Sequence, residues 1–215
     1  MRRARRARRL TRRRRAGRPQ TIWGLTSGVE RPPHDFTWTH HDIDGTPLDF
    51  ATEASAATGH LRAYADCHDS SPKKVDSYAG VGFWYVPDRA GYLTVSSAPS
   101  LKQSMWTGAL WNDVGAAGGW ISFGIASSLR RPFTFVRWEV VNTNQLWWNE
   151  DNWFDWTDHS VDTSAYGVSG SAIADTEHYY ACWLWIRAYA YAENGGSYAG
   201  SGVQAEVGGF PFVLL

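Results

Sequence analysis

The sequence predicts an all-β protein: a single antiparallel β-sandwich, jelly-roll-like in its connections, that follows a disordered arginine-rich N-terminal arm. Short apolar runs recur about every ten residues, and several of them alternate between apolar and polar side chains. No helical periodicity persists beyond about two turns. The 215-residue chain also contains 21 Gly, thirteen Trp, ten Tyr and nine Phe. This composition is typical of about eight to ten strands joined by tight turns.

Residues 1–20 form the predicted arm. Eleven of its first eighteen residues are Arg and none is acidic, whereas the remainder of the chain has ten Lys and Arg against twenty-one Asp and Glu. The formally neutral chain therefore combines an arm of about +11 with a body of about −11. Because such an arm repels itself and has little apolar surface to bury, we expect it to be disordered until bound. Residues 21–215, a length that one all-β domain can span, are assigned to the sandwich domain.

The predicted elements follow one another from Thr21 onward. Pro32 and Pro33 indicate an extended entry, a turn is predicted at residues 44–45, and the patch 54–59 is assigned one short helix. Residues 89–91 lie between two apolar runs and predict a hairpin loop. Strands are predicted at residues 61–67, 78–86, 91–96, 104–111, 119–127, 132–142, 178–193 and 201–207.

The clearest predicted strand spans residues 178–193. One set of alternate positions holds small or medium apolar residues, and the other set is mostly aromatic with one cation, Arg187. Because a central strand is covered on both faces, we assign the aromatic set to the core, with a stacking platform for sugar rings or bases as the alternative. A buried Arg187 would need a buried acceptor or a cation–π partner among Trp183, Trp185 and Tyr189.

A segment rich in tryptophan and acidic residues, 144–158, is predicted to be a long loop. Tryptophan rings stack on the C–H faces of sugars, and neighbouring carboxylates accept hydrogen bonds from sugar hydroxyls. Two alternatives stay open: the acids surround Ca²⁺, or the tryptophans cap the open end of the sandwich in a crossover between sheets. The candidate ligand-binding residues are Trp147, Trp148, Glu150, Asp151, Trp153, Asp155, Trp156 and Asp158.

Enzymatic activity has weaker support in the sequence. Many glycanases use two carboxylates about 5–9 Å apart, and the best available pair is Glu139 and Glu206, with Arg137 placed to pair with Glu139. Residues 42–53 begin like an EF-hand loop, but Pro47 stands where that loop requires glycine. Signatures of serine hydrolases, phosphate-binding loops and dinucleotide-binding folds are absent. We therefore assign no catalytic residue, no metal site and no cofactor, and we favour a non-enzymatic protein.

The two cysteines and the apolar segments say little about the compartment. A Cys67–Cys182 disulfide is one interpretation, and buried free thiols are the favoured one. No apolar stretch approaches the roughly 20 residues that span a bilayer. The N-terminus lacks the apolar region of a signal peptide, because Leu10 and Thr11 lead directly into Arg12. We expect no membrane partner, and the localisation stays unknown.

The arm is the candidate nucleic-acid-binding segment. Arginines that neutralise phosphates release counterions, so the arm would hold RNA or DNA with strong salt dependence and without reading its sequence. Two other interpretations are an idle tail translated from upstream of the true start, and a segment that docks on the acidic body. The candidate residues are Arg2, Arg3, Arg5, Arg6, Arg8, Arg9, Arg12, Arg13, Arg14 and Arg15.

An arginine-rich arm before a sandwich body resembles the plan of capsid proteins of small icosahedral viruses, including circovirus-like ones. This resemblance implies a jelly-roll shell and an arm that gathers the genome inside it. The leading functional prediction is nevertheless a non-enzymatic β-sandwich binding module that contacts glycans through residues 147–158. A capsid-like assembly with nucleic acid on its arm is the first alternative, and a glycan-active enzyme is the second. Oligomerisation is compatible with each.

Overall fold

The computed structural model of the protein describes residues 22–24, 26–44, 49–68, 73–110, 113–129, 136–152, 154–193 and 195–215. The predicted arm lies outside the described residues. Within them, all regular secondary structure is β, and no helix is present that could cross a bilayer. The strands are β1 (Ile22–Trp23), β2 (Ser27–Glu30), β3 (Phe36–Asp44), β4 (Asp49–Ala54), β5 (His60–His68), β6 (Lys73–Val86), β7 (Gly91–Ser97), β8 (Ser100–Ala109), β9 (Val114–Leu129), β10 (Val136–Asn152), β11 (Asp155–Thr163), β12 (Val168–Ala174), β13 (His178–Ala192), β14 (Ser197–Glu206) and β15 (Phe210–Leu214).

These strands form three sheets. The first sheet has the order β1-β6-β13-β9-β10, and β3 also pairs with β6. The second sheet has the order β11-β8-β14-β5-β4, and the third has the order β12-β7-β15-β2. Every pairing is antiparallel except the short parallel pair of β1 with β6.

The first sheet packs its inner face against the other two sheets. Its central strand β13 contacts β5 and β14 of the second sheet. Phe83 on β6 contacts Phe210 and Phe212 on β15 of the third sheet, with ring centroids 5.4 and 6.2 Å apart. The predicted antiparallel β-sandwich is therefore confirmed, while its jelly-roll connectivity stays a prediction.

Alternation along the strands places one set of side chains between the layers. Cys182, Leu184 and Ile186 on β13 are fully buried, as are Val81 and Phe83 on β6. Burial of one large apolar side chain stabilises a fold by roughly 1.5–3 kcal/mol. The small and medium apolar residues of the alternation predicted for residues 178–193 thus form part of the inner face of the first sheet.

The structure contains more strands than predicted, because several strands are polar. β3 and β11 each pair with only one neighbour among the described strands, and most of their side chains are exposed. A mostly polar edge strand has little apolar alternation to identify it, and in β3 only Phe36 and Trp38 provide any on the face that they share. The unpredicted strands are β1, β2, β3, β4, β11, β12 and β15. Polarity does not account for β12 and β15, whose alternate side chains are buried.

The helix predicted at residues 54–59 is instead a turn between β4 and β5. The amide of Gly59 donates to the carbonyl of Ser55 at 2.8 Å, and the carbonyl of Gly59 accepts from the amide of Val207 at 3.0 Å. Gly59 has a φ of +79°, and a Cβ there would lie 2.2 Å from the carbonyl oxygen of Val207. This left-handed residue reverses the chain within one turn, so no helix can form.

Two predicted loops are also wrong. Residues 89–91 do not close a hairpin, because β6 belongs to the first sheet and β7 to the third. They lie in a connection between sheets. Residues 144–158 are not a long loop, because β10 extends to Asn152 and β11 begins at Asp155.

Cys67 and Cys182 are free and buried. The sulfur of Cys67 lies 3.5 Å from the carbonyl oxygen of Ala190, and Ala190 is eight residues from Cys182 along β13. Eight residues of strand span about 26 Å, whereas a disulfide requires Cα atoms within about 7 Å. The bridge considered from the sequence therefore does not form. Burial raises the pKa of both thiols, that of Cys67 to about 12.

Candidate functional site

The first sheet carries aromatic side chains on the face that points away from the sandwich. On β13, Trp183, Trp185 and Tyr189 alternate with fully buried residues and are themselves half-buried. The assignment of this set to the core is therefore wrong. The physical reason is that only one face of β13 meets another sheet, so the second face is covered by its own neighbours in the first sheet.

Neighbouring strands add rings to the same outward face. Trp38 on β3 pairs in register with Gly80 on β6, and Gly80 pairs with Trp185 on β13. On the other side of β13 the same arrangement recurs: Trp183 pairs in register with Gly124 on β9, and β10 lies next to β9. We call this surface the aromatic face; its rings belong to Phe36, Trp38, Tyr78, Trp84, Trp120, Trp138, Trp148, Trp183, Trp185, Tyr189 and Tyr191.

The rings of the aromatic face hold one another in place. The ring centroid of Trp183 lies 4.6 Å from that of Trp138 and 6.0 Å from that of Trp185. The Trp185 centroid lies 6.4 Å from that of Trp38. Tilted and edge-on aromatic pairs at about 4.5–7 Å attract each other. The rings are therefore fixed before any ligand arrives.

Glycines in the strands provide the space that the rings occupy. A Cβ at Gly80 would lie 2.5 Å from Nε1 of Trp38 and 3.0 Å from Cβ of Trp185. A Cβ at Gly124 would lie 2.8 Å from the ring of Trp138. Because these positions lack side chains, the indoles lie over the backbone instead of projecting from it.

The ion pair of Arg187 with Asp76 lies in the middle of this face. Arg187 donates from Nε and Nη2 to the two carboxylate oxygens of Asp76, at 2.7 and 2.6 Å. The guanidinium carbon lies 4.4 Å from the ring centroid of Trp120. Asp76 is 4 % exposed, so the requirement of Arg187 for a buried acceptor is confirmed. The two opposite charges compensate each other. A buried charge without a partner would destabilise the fold.

Asp76 also accepts a hydrogen bond from the hydroxyl of Tyr78 at 2.9 Å. Burial, followed by the charge of Asp76, raises the pKa of Tyr78 to about 12. The phenol therefore stays protonated at neutral pH and keeps donating to Asp76. This contact fixes the ring of Tyr78 beside Arg187, whose guanidinium carbon lies 5.5 Å from the Tyr78 ring centroid.

The part of the aromatic face on β10 is open to solvent. Trp138, Val141 and Trp148 are 50, 46 and 43 % exposed. Polar side chains border these residues, since Thr143 and Gln145 are exposed on the same strand. Exposed apolar surface bordered by polar side chains is typical of interaction sites.

The structure distributes the predicted 147–158 site over separate places. Trp147 is buried, whereas Trp148 belongs to the aromatic face. Trp156, which is 72 % exposed, and Asp158 lie on β11 of the second sheet. Trp153 lies outside the described residues. The structure therefore does not bring the four tryptophans to one surface.

The acidic residues of that segment are separated as well. Asp151 is buried and hydrogen-bonded, Glu150 is exposed on β10, and Asp155 is exposed at the start of β11, where it accepts from the amide of Trp156 at 2.9 Å. In the described part of the chain, no three His, Cys, Asp or Glu residues are placed to hold a metal ion. The alternative of a calcium site gains no support from this arrangement.

The predicted carboxylate pair does not come together. Glu139 on β10 accepts a hydrogen bond from Ser127, and its Oε1 lies 3.9 Å from Nε of Arg137. Glu206 lies on β14 of the second sheet, with Oε1 2.6 Å from Nδ1 of His60. The two acids thus lie on different sheets, and each has its own partner. The candidate nucleic-acid-binding arginines of the arm lie outside the described residues.

Sequence reasoning missed two groups of rings on the aromatic face. Phe36 and Trp38 lie on β3, which was not predicted, and Trp120 on β9 was not recognised as a partner of Arg187. The available signal was glycine at every second position of the neighbouring strands, as at Gly80 and Gly82. Glycine in a strand often marks a close approach by another group.

No known protein-family model matches the chain, and no curated protein matches it either. Among solved structures, the chain is similar to TmCBM61 in complex with beta-1,4-galactotriose, at 9 % identity over 82 % of this chain and 88 % of that chain, with a TM-score of 0.21. A second similarity is to infectious bursal disease virus Gx strain, at 7 % identity over 85 % of this chain and 42 % of that one, with a TM-score of 0.12. TM-scores this low carry no argument about fold or function.

Proposed function

We propose that the protein is a non-enzymatic glycan-binding module and that the aromatic face of the first sheet is its binding surface. The observation that carries this proposal is a set of outward tryptophans whose indoles cover glycines of the sheet, including Trp38 over Gly80 and Trp138 over Gly124. The apolar C–H face of a sugar ring packs on a flat indole, and the indole N–H donates to sugar hydroxyls.

The charge and rigidity of the surface support the same ligand class. Arg187 is neutralised by Asp76, so the middle of the face attracts no strong ion. Since the rings are held by mutual contacts, binding costs little side-chain entropy. Thr143 and Gln145 at the border supply hydrogen-bonding groups that orient a polyhydroxylated ligand.

The dimensions favour a chain of sugars over a single ring. Strands in a sheet lie about 4.8 Å apart, so the five strands from β3 to β10 place their outer members about 19 Å apart. An extended oligosaccharide can therefore contact several indoles at once.

The test compares single substitutions on different surfaces of the folded protein. Trp185→Ala removes a central ring of the aromatic face, and Tyr92→Ala, a 51 % exposed position on β7 of the third sheet, is the control. Stacking on an aromatic ring contributes about 1–3 kcal/mol, so we expect Trp185→Ala to weaken binding by about tenfold or more. Tyr92→Ala should leave the Kd unchanged. Binding is first identified on a glycan array and then measured by calorimetry.

Trp156→Ala separates this proposal from binding through residues 147–158. If the aromatic face binds, this variant keeps its affinity because Trp156 lies on the other layer. Loss of affinity in Trp156→Ala with no change in Trp185→Ala would move the site to β11. Absence of glycan binding by the unmodified protein would remove the proposed function altogether.

The capsid-like alternative stays a prediction. It depends on the arginine-rich arm, which lies outside the described residues. The glycan-active enzyme has no support from the arrangement of Glu139 and Glu206.

A further inference from the structure

We infer a second saccharide-binding site on the outward face of the second sheet, on the layer opposite the aromatic face. It lies in a groove of about 290 Å³ over Gly202. The ligand class rests on the proposed glycan-binding function, while the existence of the groove does not. This site would take one sugar ring or a chain end, and it would make the module bivalent.

The groove exists because β14 has no side chain at its centre. Gly202 pairs with Tyr64 on β5 and with Ser104 on β8. A Cβ at Gly202 would lie 2.7 Å from Oγ of Ser104 and 3.6 Å from Cδ2 of Tyr64. The space that this Cβ would fill is therefore walled by an aromatic ring on one side and by a hydroxyl on the other.

Tyr64 lines one end of the groove, and the indole of Trp106 lies behind it, outside the groove itself. A Cβ at Gly200 would lie 2.0 Å from the ring of Trp106, so that indole lies over the β14 backbone as the indoles of the aromatic face do. The Trp106 and Tyr64 ring centroids are 5.9 Å apart. Tyr64 is held further by a hydrogen bond from its hydroxyl to Oδ2 of Asp66 at 3.3 Å. Tyr64 therefore offers a fixed ring face to a ligand.

A polar wall closes the other side. Lys102 on β8, Gln204 on β14 and Arg62 on β5 are neighbours in register across three strands. Within the described ranges, the side chains of Lys102, Gln204 and Ser104 have no hydrogen-bonding partner. Arg62 donates from Nη1 to Glu53 at 3.1 Å, which leaves its other N–H groups for a ligand. The wall thus presents free donors and an amide acceptor toward the groove.

This combination suits a sugar ring better than an ion or an apolar ligand. Side chains of both charge signs surround the groove. Lys102 pairs in register with Asp162, and Arg62 pairs in register with Glu53. Hydroxyl groups donate and accept, so a polyol can satisfy such a mixed lining. Ligand pockets of about 300–1,000 Å³ bury most of a small molecule. A groove at the lower end of that range holds one ring and excludes an extended chain.

Two sites on opposite layers would change how the protein binds a polysaccharide. A single module could hold two chains, or one chain that folds back, and the second contact would occur at high effective concentration. Avidity of this kind raises the apparent affinity for polymers without changing the affinity for short oligosaccharides.

The experiment follows backbone amide and indole signals by NMR while monosaccharides and hexasaccharides of glucose, galactose, mannose and xylose are added to the full-length protein. We expect two groups of shifts: one at Gly202 and Gln204, and one at the indole of Trp185. The double variant Lys102→Ala/Gln204→Ala changes only exposed or partly exposed side chains. It should abolish the first group with at least a tenfold loss of affinity there, and leave the second group intact.

The outcomes separate the two claims. Shifts at Trp185 with none at Gly202 would overturn the second site and leave the aromatic face as the binding surface. Shifts at Gly202 with none at Trp185 would support the groove and overturn the aromatic face. Persistence of the Gly202 shifts in the double variant would also overturn the second site. No shift with any of these sugars would overturn both.

Discussion

At the scale of single residues, a buried carboxylate joins the two layers. Asp151 on β10 of the first sheet accepts hydrogen bonds from Thr107 on β8 and Thr157 on β11, at 2.7 and 3.2 Å, and both of these strands belong to the second sheet. Asn149 donates to the same carboxylate at 2.7 Å. Asp151 was predicted to bind a ligand, but its oxygens are occupied by the protein, which indicates a structural role.

Asp151→Ala tests this role. The substitution leaves one buried donor, Thr107, and two half-buried donors, Asn149 and Thr157, without their acceptor. An unsatisfied buried polar group costs roughly 1–3 kcal/mol before relaxation. We expect a loss of about 2–4 kcal/mol in the free energy of unfolding, measured by urea denaturation. Asp158→Ala, at an exposed position on β11, is the matched control and should change stability by less than about 0.5 kcal/mol. Equal effects of the two substitutions would contradict the structural role of Asp151.

At the scale of elements, the alternation of β13 could be predicted, but the direction of its two faces could not. Both sets of side chains are apolar enough for a core, so periodicity defines two faces without saying which one points inward. The choice depends on cross-strand partners, since Trp183 and Trp185 lie beside Gly82 and Gly80 of β6. Those partners are about 100 residues away in the chain, and single-sequence periodicity does not report them.

The tryptophan-rich segment illustrates the same limit. Its composition predicted aromatic and acidic side chains on one loop, but Trp147 and Asp151 are buried, and the segment contains the break between two strands of different sheets. Trp148 ends on the first sheet and Trp156 on the second, although only eight positions separate them. The register of β10 with β9 and of β11 with β8 decides these positions, and register is a property of the paired strands together.

The glycines of β6 give an element-scale prediction. Gly80→Ala would place a methyl group 2.5 Å from Nε1 of Trp38 and 3.0 Å from Cβ of Trp185. Because overpacking costs about 1–3 kcal/mol and moves side chains, we expect the indole of Trp38 to tilt away from the sheet. The variant should bind glycans more weakly and show stronger acrylamide quenching of tryptophan fluorescence.

Gly167→Ala is the control for that substitution, because no atom lies within 4 Å of the added methyl group. It should leave the quenching and the Kd as they are. If Gly80→Ala also leaves both unchanged, the position of Trp38 over the backbone does not depend on the glycine, and the preorganisation argument for the aromatic face fails.

At the scale of the whole molecule, the charge separation between arm and body leads to the last prediction. The sandwich joins both ends of the described chain, since β2 pairs with β15 and β1 pairs with β6. A truncated protein of residues 21–215 therefore retains every described strand. The predicted arm has almost no apolar side chains to bury, so we expect its deletion to shift the Tm by only a few degrees. A large loss of Tm would instead mean that the arm docks on the acidic body.

The function of the arm is tested on the full-length protein and on the truncated protein of residues 21–215. For each, size-exclusion chromatography with light scattering gives the mass, and the ratio of absorbance at 260 and 280 nm reports bound nucleic acid. A glycan-binding module should give a small species near its 24.1 kDa chain mass or a small oligomer, with the same state after truncation. Any nucleic acid bound to the full-length protein should dissociate steeply as salt rises, because arginine–phosphate contacts release counterions. Large particles that contain nucleic acid and disappear with residues 1–20 would favour the capsid-like alternative, and the aromatic face would then have to be tested as a contact between subunits.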